Sequence, residues 1–125
     1  RVAVAEAAEA NPGSRLVLKG ALRGLHWRDS GISPPVRRVA DNLWDGYTEA
    51  QASFFWDPLP HTGPTAEVLI VDGPVPRIVF RALHAAMDGR GAYLWMEDVF
   101  RCLRGEKPLG AFSTLAEWQV ARRMT

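Results

Sequence analysis

Residues Thr65 to Leu83, TAEVLIVDGPVPRIVFRAL, constrain the fold more than any other part of the chain. Two apolar runs, Thr65 to Val71 and Arg77 to Leu83, are rich in β-branched and aromatic residues. The DGPVP between them combines an Asp-Gly turn with prolines that cannot continue a central strand. The segment reads as an antiparallel hairpin. A lone hairpin is at best marginally stable in water, so neighbouring segments have to supply strands beside it or helices against it.

Candidates for both flank it. Val2 to Ala10, VAVAEAAEA, consists of good helix formers, and Asn11-Pro12-Gly13 stops it. Ser14 to Lys19 has strand composition, Gly20 to Pro35 reads as a loop or irregular edge, and Val36 to Val39 reads as another short strand. Asp41 to Pro64 places Trp44, Phe54, Phe55 and Trp56 among turn residues. These would anchor a core or interface, or line a channel, and the segment's secondary structure stays open. Ala92 to Arg104 carries Trp95, Met96, Val99, Phe100 and Leu103 at spacings of three and four, the stripe of an amphipathic helix, with Gly105 as its C-cap. A last helix is expected from Thr114. There Thr114 and Glu117 form a capping-box pair, Leu115, Trp118 and Val120 face inward, and Arg122 and Arg123 suit the C-terminal end. Strands grouped with helices around a central hairpin predict an α+β fold in two layers, and not a doubly wound sheet.

Composition narrows the function. The 125 residues suit one domain, or one lobe of a larger one, and a hydrophobic content of 47% is enough for a packed core. Fifteen Lys and Arg against fourteen Asp and Glu leave a net charge of +1, without the basic excess that nucleic-acid binding leaves in a composition. No apolar run is long enough for a transmembrane helix and no secretory signal opens the chain, so a soluble cytoplasmic protein with no nucleic-acid or membrane partner is expected. A single cysteine, Cys102, rules out an internal disulfide. It shares the apolar helix with Val99 and Leu103, which points to packing and not to reactivity. His26 and His61 lie in loop-like segments, and three scattered histidines give no zinc-ligand spacing, so no metal is expected. No GxSxG elbow, Walker loop or dinucleotide fingerprint is present.

The remaining histidine sits where chemistry is plausible. His84 follows the second hairpin strand in phase with Ile78, Phe80 and Ala82, which would aim it at an apolar layer and partly desolvate it. Imidazole titrates near neutrality, where a general base is most effective. Asp88 and Gly89 follow in the connection to the amphipathic helix, where Asp favours the helix N-terminus and Gly permits backbone angles that other residues resist.

His84-x-x-x-Asp88-Gly89 resembles the HxxxDG motif of the chloramphenicol acetyltransferase and condensation-domain superfamily. The context is similar too. ALHAAMDGRGAYLWMEDVFRCLRGE resembles the superfamily's strand, motif and helix, and AEAAEANPGSRLVL resembles the helix, break and strand that open its N-terminal lobe. The middle third, Gly20 to Pro64, matches only in outline. The resemblance implies a two-layer α/β sandwich, one lobe of the chloramphenicol acetyltransferase-like fold. It also implies an acyltransferase that moves an acyl group from a thioester, on coenzyme A or on the phosphopantetheine of an acyl carrier protein, to an amine or hydroxyl in natural-product biosynthesis. No tightly bound cofactor is implied, because the acyl thioester is a substrate. On the same resemblance His84 is the general base. Asp88 is structural, pairing with an arginine to fix the loop, and Gly89 keeps the turn open. Leu83 stands where peptide-forming condensation domains commonly have a second histidine, which weakens a strict peptide-forming assignment and leaves stand-alone acyltransferases untouched. Because the superfamily's tunnel forms between two lobes or subunits, residues 1–125 are expected to be an N-terminal lobe, with a C-terminal lobe in the same or a separate chain. The start at Arg1 inside a helix fits a piece of a longer polypeptide. The alternative is a noncatalytic scaffold or carrier-protein docking module with the same fold.

Overall fold

The computed structural model describes residues 1–40, 57–73 and 75–110. Along these the chain forms α1 (Val2–Ala10), β1 (Leu16–Lys19), β2 (His26–Asp29), β3 (Val36–Ala40), β4 (Ala66–Asp72), β5 (Arg77–Ala82) and α2 (Gly89–Leu103). The expected helix from Thr114 and the aromatic cluster from Trp44 to Trp56 lie outside the described residues. Among the described residues no helix is long and apolar enough to cross a membrane.

The hairpin forms with Ala66 opposite Ala82, Val68 opposite Phe80 and Leu69 opposite Val79. On its other side β4 pairs in parallel with β3, Val36 opposite Val68. β4 is therefore the central strand of three, and both of its faces are covered, so its sequence runs VLIV without polar alternation. One face, with Ala66 and Val68, packs against Val4 and Ala7 of α1, Trp95 and Val99 of α2, and Met87. The other carries Leu69 and Val71 against Val39 and Val79. α1 turns its small side, Ala3, Val4, Ala7 and Ala8, inward. This is an α+β architecture with helices against one face of a mixed sheet.

β1 and β2 form a separate antiparallel pair, Leu16 opposite Asp29 through Lys19 opposite His26. β2 falls within the stretch expected to be irregular, and His26 begins this strand instead of lying in a loop. Its side chains are exposed except for half-buried Trp27, so it lacks the apolar alternation that marks a strand in sequence. Backbone pairing and the ion pair from Arg15 to Asp29, at 2.8 Å, hold it.

Two buried carboxylates tie the elements together. Glu67 on β4 faces Arg81 across the hairpin, and Arg37 on β3 reaches it with Nε at 3.1 Å and Nη2 at 3.2 Å. Burial alone would push the Glu67 carboxyl up, but the hydrogen bonds from Arg37 and Arg81 outweigh it and hold the group below the ordinary carboxylate range. Asp98 on α2 is 2% exposed and accepts from Asn11 Nδ2 at 2.8 Å, Leu109 N at 2.7 Å and Gly110 N at 2.8 Å. Asn11 Nδ2 also donates to the Ala7 carbonyl at 2.9 Å, closing the end of α1. At the end of α2, Gly105 adopts φ 79° while Gly105 N bonds the Cys102 carbonyl and Glu106 N the Arg101 carbonyl, the paired bonds of a Schellman cap.

Two outcomes follow for stability. Asp98→Ala removes three hydrogen bonds, two of them buried, and should lower the unfolding free energy by about 3 kcal/mol, read from denaturant melts; Asp98→Asn, which keeps an acceptor, should lose less. Glu67 has a folded pKa depressed below its ordinary value of 4.5, so its stabilising contribution is present above that pH and is lost as pH falls through the folded value. Glu67→Gln should therefore flatten the acid limb of a melting-temperature profile below pH 4.5.

Candidate active site

The site is built at the junction of β5 and α2. After Ala82 the chain makes one more hairpin bond, Leu83 N to the Thr65 carbonyl at 2.8 Å, and then turns, with Ala86 N and Met87 N both donating to the Leu83 carbonyl. Met87, 8% exposed, plugs into the core between sheet and helices. Leu83 and Met87 thus anchor a short turn, and His84 stands on it.

Next comes the helix start. Asp88 has φ −72° and ψ 174°, and its Oδ1 accepts from Gly91 N at 2.6 Å while its carbonyl accepts from Ala92 N at 2.9 Å. It is the N-cap of α2. No ion pair from an arginine to Asp88 occurs among the described residues. Its Oδ1 caps the helix. Gly89 opens the helix with no left-handed backbone angle, and a Cβ built on it would meet nothing within 4 Å. The tight position is Gly91, where a Cβ would lie 3.1 Å from Asp88 Oδ1 and 3.2 Å from Met87 Cγ. The steric demand for glycine thus falls on Gly91 and not on the expected Gly89.

Beside this junction lies a cavity of about 270 Å³. Phe80, Ala82 and His84 line it from the strand side at alternate positions, so the phase of β5 carries past the strand's end. Gly89, Ala92 and Met96 line it from α2 at helical spacing, with Trp95 fully buried against its wall. Trp95 meets Phe80 edge to face, ring centroids 5.3 Å apart. His84, Asp88 and Gly89 therefore share one pocket. His84 itself is exposed, contrary to the expected partial desolvation, because the strand ends two residues before it and the turn lifts it to the mouth.

Sequence reasoning placed Trp95 and Met96 on the apolar stripe of the helix but did not associate them with the site. The signal was present: counting back from Met96 by four and then three residues reaches Ala92 and Gly89. Trp95 also has an unusual feature. Its indole Nε1–H is buried with no acceptor among the described residues. The apolar gain from burying an indole, about 5 kcal/mol, exceeds the roughly 1–3 kcal/mol cost of an unpaired donor, so the position tolerates it.

A larger cavity of about 530 Å³ opens elsewhere, between the β1–β2 pair, Pro34–Pro35 and residues 62–65. It holds no histidine, cysteine or unpaired carboxylate, since its one carboxylate, Asp29, is bound to Arg15. His84 and Asp88 line the smaller one. Cys102 is half-buried beside the core, and burial together with neighbouring Glu6 pushes its thiol up, which disfavours a nucleophilic thiolate.

No family model matches the chain, and no curated protein matches it in sequence. Solved structures do match its fold. The starter condensation domain of rhizomide synthetase RzmA superimposes with a TM-score of 0.64 at 20% identity, covering 98% of this chain and 34% of that one. The chain has the condensation-domain fold. The epimerization domain from the third module of tyrocidine synthetase B gives a TM-score of 0.65 at 15% identity over 94% of this chain and 30% of its own, and the tallysomycin biosynthesis protein TlmII gives 0.64 at 19% over 98% and 33%. A variant of the RzmA domain solved in complex with C8-CoA also matches, with a TM-score of 0.64 at 20% identity over 99% of this chain and 32% of that one. The chain spans about a third of the length of these condensation-fold structures.

The geometry of this helix start yields a direct test of Asp88. Asp88→Ala removes the cap from α2 and should cost about 1 kcal/mol in unfolding experiments, while Asp88→Ser or Asp88→Asn should recover most of it. Hydrogen exchange at Gly91 N should quicken in the alanine variant only.

Proposed function

We propose that this chain carries the histidine-bearing lobe of a condensation-type acyltransferase, which moves an acyl group from a thioester to an amine or hydroxyl. The observation that carries this reading is the position of His84, exposed at the mouth of an apolar pocket between β5 and α2 in a chain with the condensation-domain fold.

An acyl chain suits the pocket, whose walls include Phe80, Ala82, Met87, Ala92 and Met96. The thioester carbonyl then lies near the mouth, beside His84. As the acceptor's nitrogen or oxygen attacks that carbonyl, the His84 imidazole takes its proton and the new C–N or C–O bond forms. When the tetrahedral intermediate collapses, the C–S bond breaks and the thiol leaves with the proton that His84 returns. Amines and hydroxyls are weak nucleophiles while they hold that proton, which is why a base at this position matters. Asp88 and Gly91 act on the turn and helix start, not on the substrate. The thioester is carried by coenzyme A or by the phosphopantetheine of an acyl carrier protein; one condensation-fold relative was solved with C8-CoA. The opposite wall of the site comes from a second lobe, in the same or a separate chain, and the reaction belongs to natural-product biosynthesis.

The test is His84→Ala in the full-length protein with an acyl thioester donor. Because His84 is exposed, the variant should unfold at the wild-type midpoint. Its kcat/KM should fall at least about a hundredfold, as expected when a general base is removed. Unchanged turnover would overturn the acyl-transfer mechanism and favour the noncatalytic scaffold or docking role.

A further inference from the structure

The cavity of about 530 Å³ shares no lining residue with the pocket at His84, and its size falls in the roughly 300–1,000 Å³ range of small-molecule sites. Val17, Ile32, Pro34 and Pro64 give it apolar walls. One wall is closed by Val17 against Gly63, where φ is 94° and a Cβ would collide with Val17 Cγ1, so only glycine permits the contact. Its charged lining residues are Arg15, Lys19, Arg28 and Asp29. Arg15 and Asp29 neutralise each other at 2.8 Å, which leaves Lys19 and Arg28, both exposed, with no ion pair among the described residues.

The β1–β2 register brings these two cations together. Val17 stands opposite Arg28 and Lys19 opposite His26, so Val17, Lys19 and Arg28 share one face of the pair. Lys19 and Arg28 are diagonal neighbours, with backbones about 7–8 Å apart, and their side chains are long enough to meet on one group. The whole chain carries a net charge of only +1, so two uncompensated cations at one cavity set a local positive potential that the composition does not show.

We propose that this cavity binds a soluble organic phosphate, with its phosphate held by Lys19 and Arg28 and its apolar body against Val17, Ile32 and the prolines. A phosphate monoester carries close to two negative charges at neutral pH, which two cations match better than they match a carboxylate. The arginine fork takes two phosphate oxygens and the lysine adds a compact charge. Inorganic phosphate leaves the apolar walls wet, and a neutral hydrocarbon leaves the cations unused. The site stands apart from the acyltransferase reading and survives its failure.

The experiment titrates the full-length protein by calorimetry with octyl phosphate, inorganic phosphate, nonanoate and octanol. Octyl phosphate should bind at least about tenfold more tightly than each of the others, and its affinity should fall as salt is raised. The double variant Lys19→Ala, Arg28→Ala should lose at least about tenfold in that affinity, whereas His84→Ala should not change it. Because both cations are exposed, the double variant should melt with the wild type. Should it fail to fold, the single variants take its place: Lys19→Arg should keep the affinity that Lys19→Gln loses. Octyl phosphate that does not bind, binds no better than nonanoate, octanol or inorganic phosphate, or binds the cation-free variants as well as the wild type overturns the proposal. Cosedimentation with phosphatidylcholine vesicles containing phosphatidic acid, without binding of octyl phosphate, would place the phosphate on a lipid surface and overturn the soluble-ligand site.

Discussion

A carboxylate with no ion pair among the described residues fixes the position on which the rest of the described structure depends. Asp98 is buried on α2 and is satisfied by neutral donors, one from the Asn11 side chain and two from the backbone at Leu109 and Gly110. Those donors belong to the end of α1 and to the chain beyond α2, so one residue sets both the rotation of α2 and its separation from α1. Geometry of this kind tolerates little slack, because a turned helix would strand a charge without donors. With the rotation set, Trp95 one turn earlier is committed to the core, and Gly89, Ala92 and Met96 are left facing the pocket.

The pocket is the meeting of two periodicities. Alternation along β5 brings Phe80, Ala82 and His84 to one side, and the helical repeat brings Gly89, Ala92 and Met96 to the other. Between them only a short turn intervenes, anchored by Leu83 to the hairpin, by Met87 in the core and by Asp88 on the helix. Exposure of His84 is therefore compatible with a defined position. The turn lifts the imidazole out of the core without freeing its backbone.

How much of this was legible depends on what each feature leaves in the sequence. The hairpin, α1, the body of α2 and the Gly105 cap are written in local composition and spacing, and the structure has them within a few residues of their expected ends. β2 was not legible, because a strand exposed on nearly all its side chains has no hydrophobic period to read. The parallel pairing of β3 with β4 joins residues about thirty positions apart and leaves no local trace. Asp98 stands in the middle of a helix that reads as amphipathic, where a carboxylate looks like part of the solvated face; only the donors from Asn11 and residues 109–110 make it interior. At the candidate site, motif spacing singled out His84, Asp88 and Gly89, and the three line one cavity, but how each is held was hidden. Which glycine is sterically required depends on where Met87 Cγ and Asp88 Oδ1 lie, and those positions follow from tertiary packing.

That packing has a consequence for how such a site would diverge. The open and the buried sides of the pocket sit on different elements: His84 is on a turn and its side chain touches solvent, whereas Trp95 is on a helix and its side chain is locked in the core. Exchanging the residue at position 95 alters core packing and the pocket wall together, so a new pocket shape would come at some cost in stability unless Phe80 or Met96 repacks to fill the space. His84 and Ala85, exposed on the turn, carry no such burden. The mouth of the pocket is therefore free to change by surface substitution, whereas its inner wall is coupled to the folding of the sheet and α2. On this reasoning, proteins sharing this lobe should vary at the mouth more readily than along the inner wall.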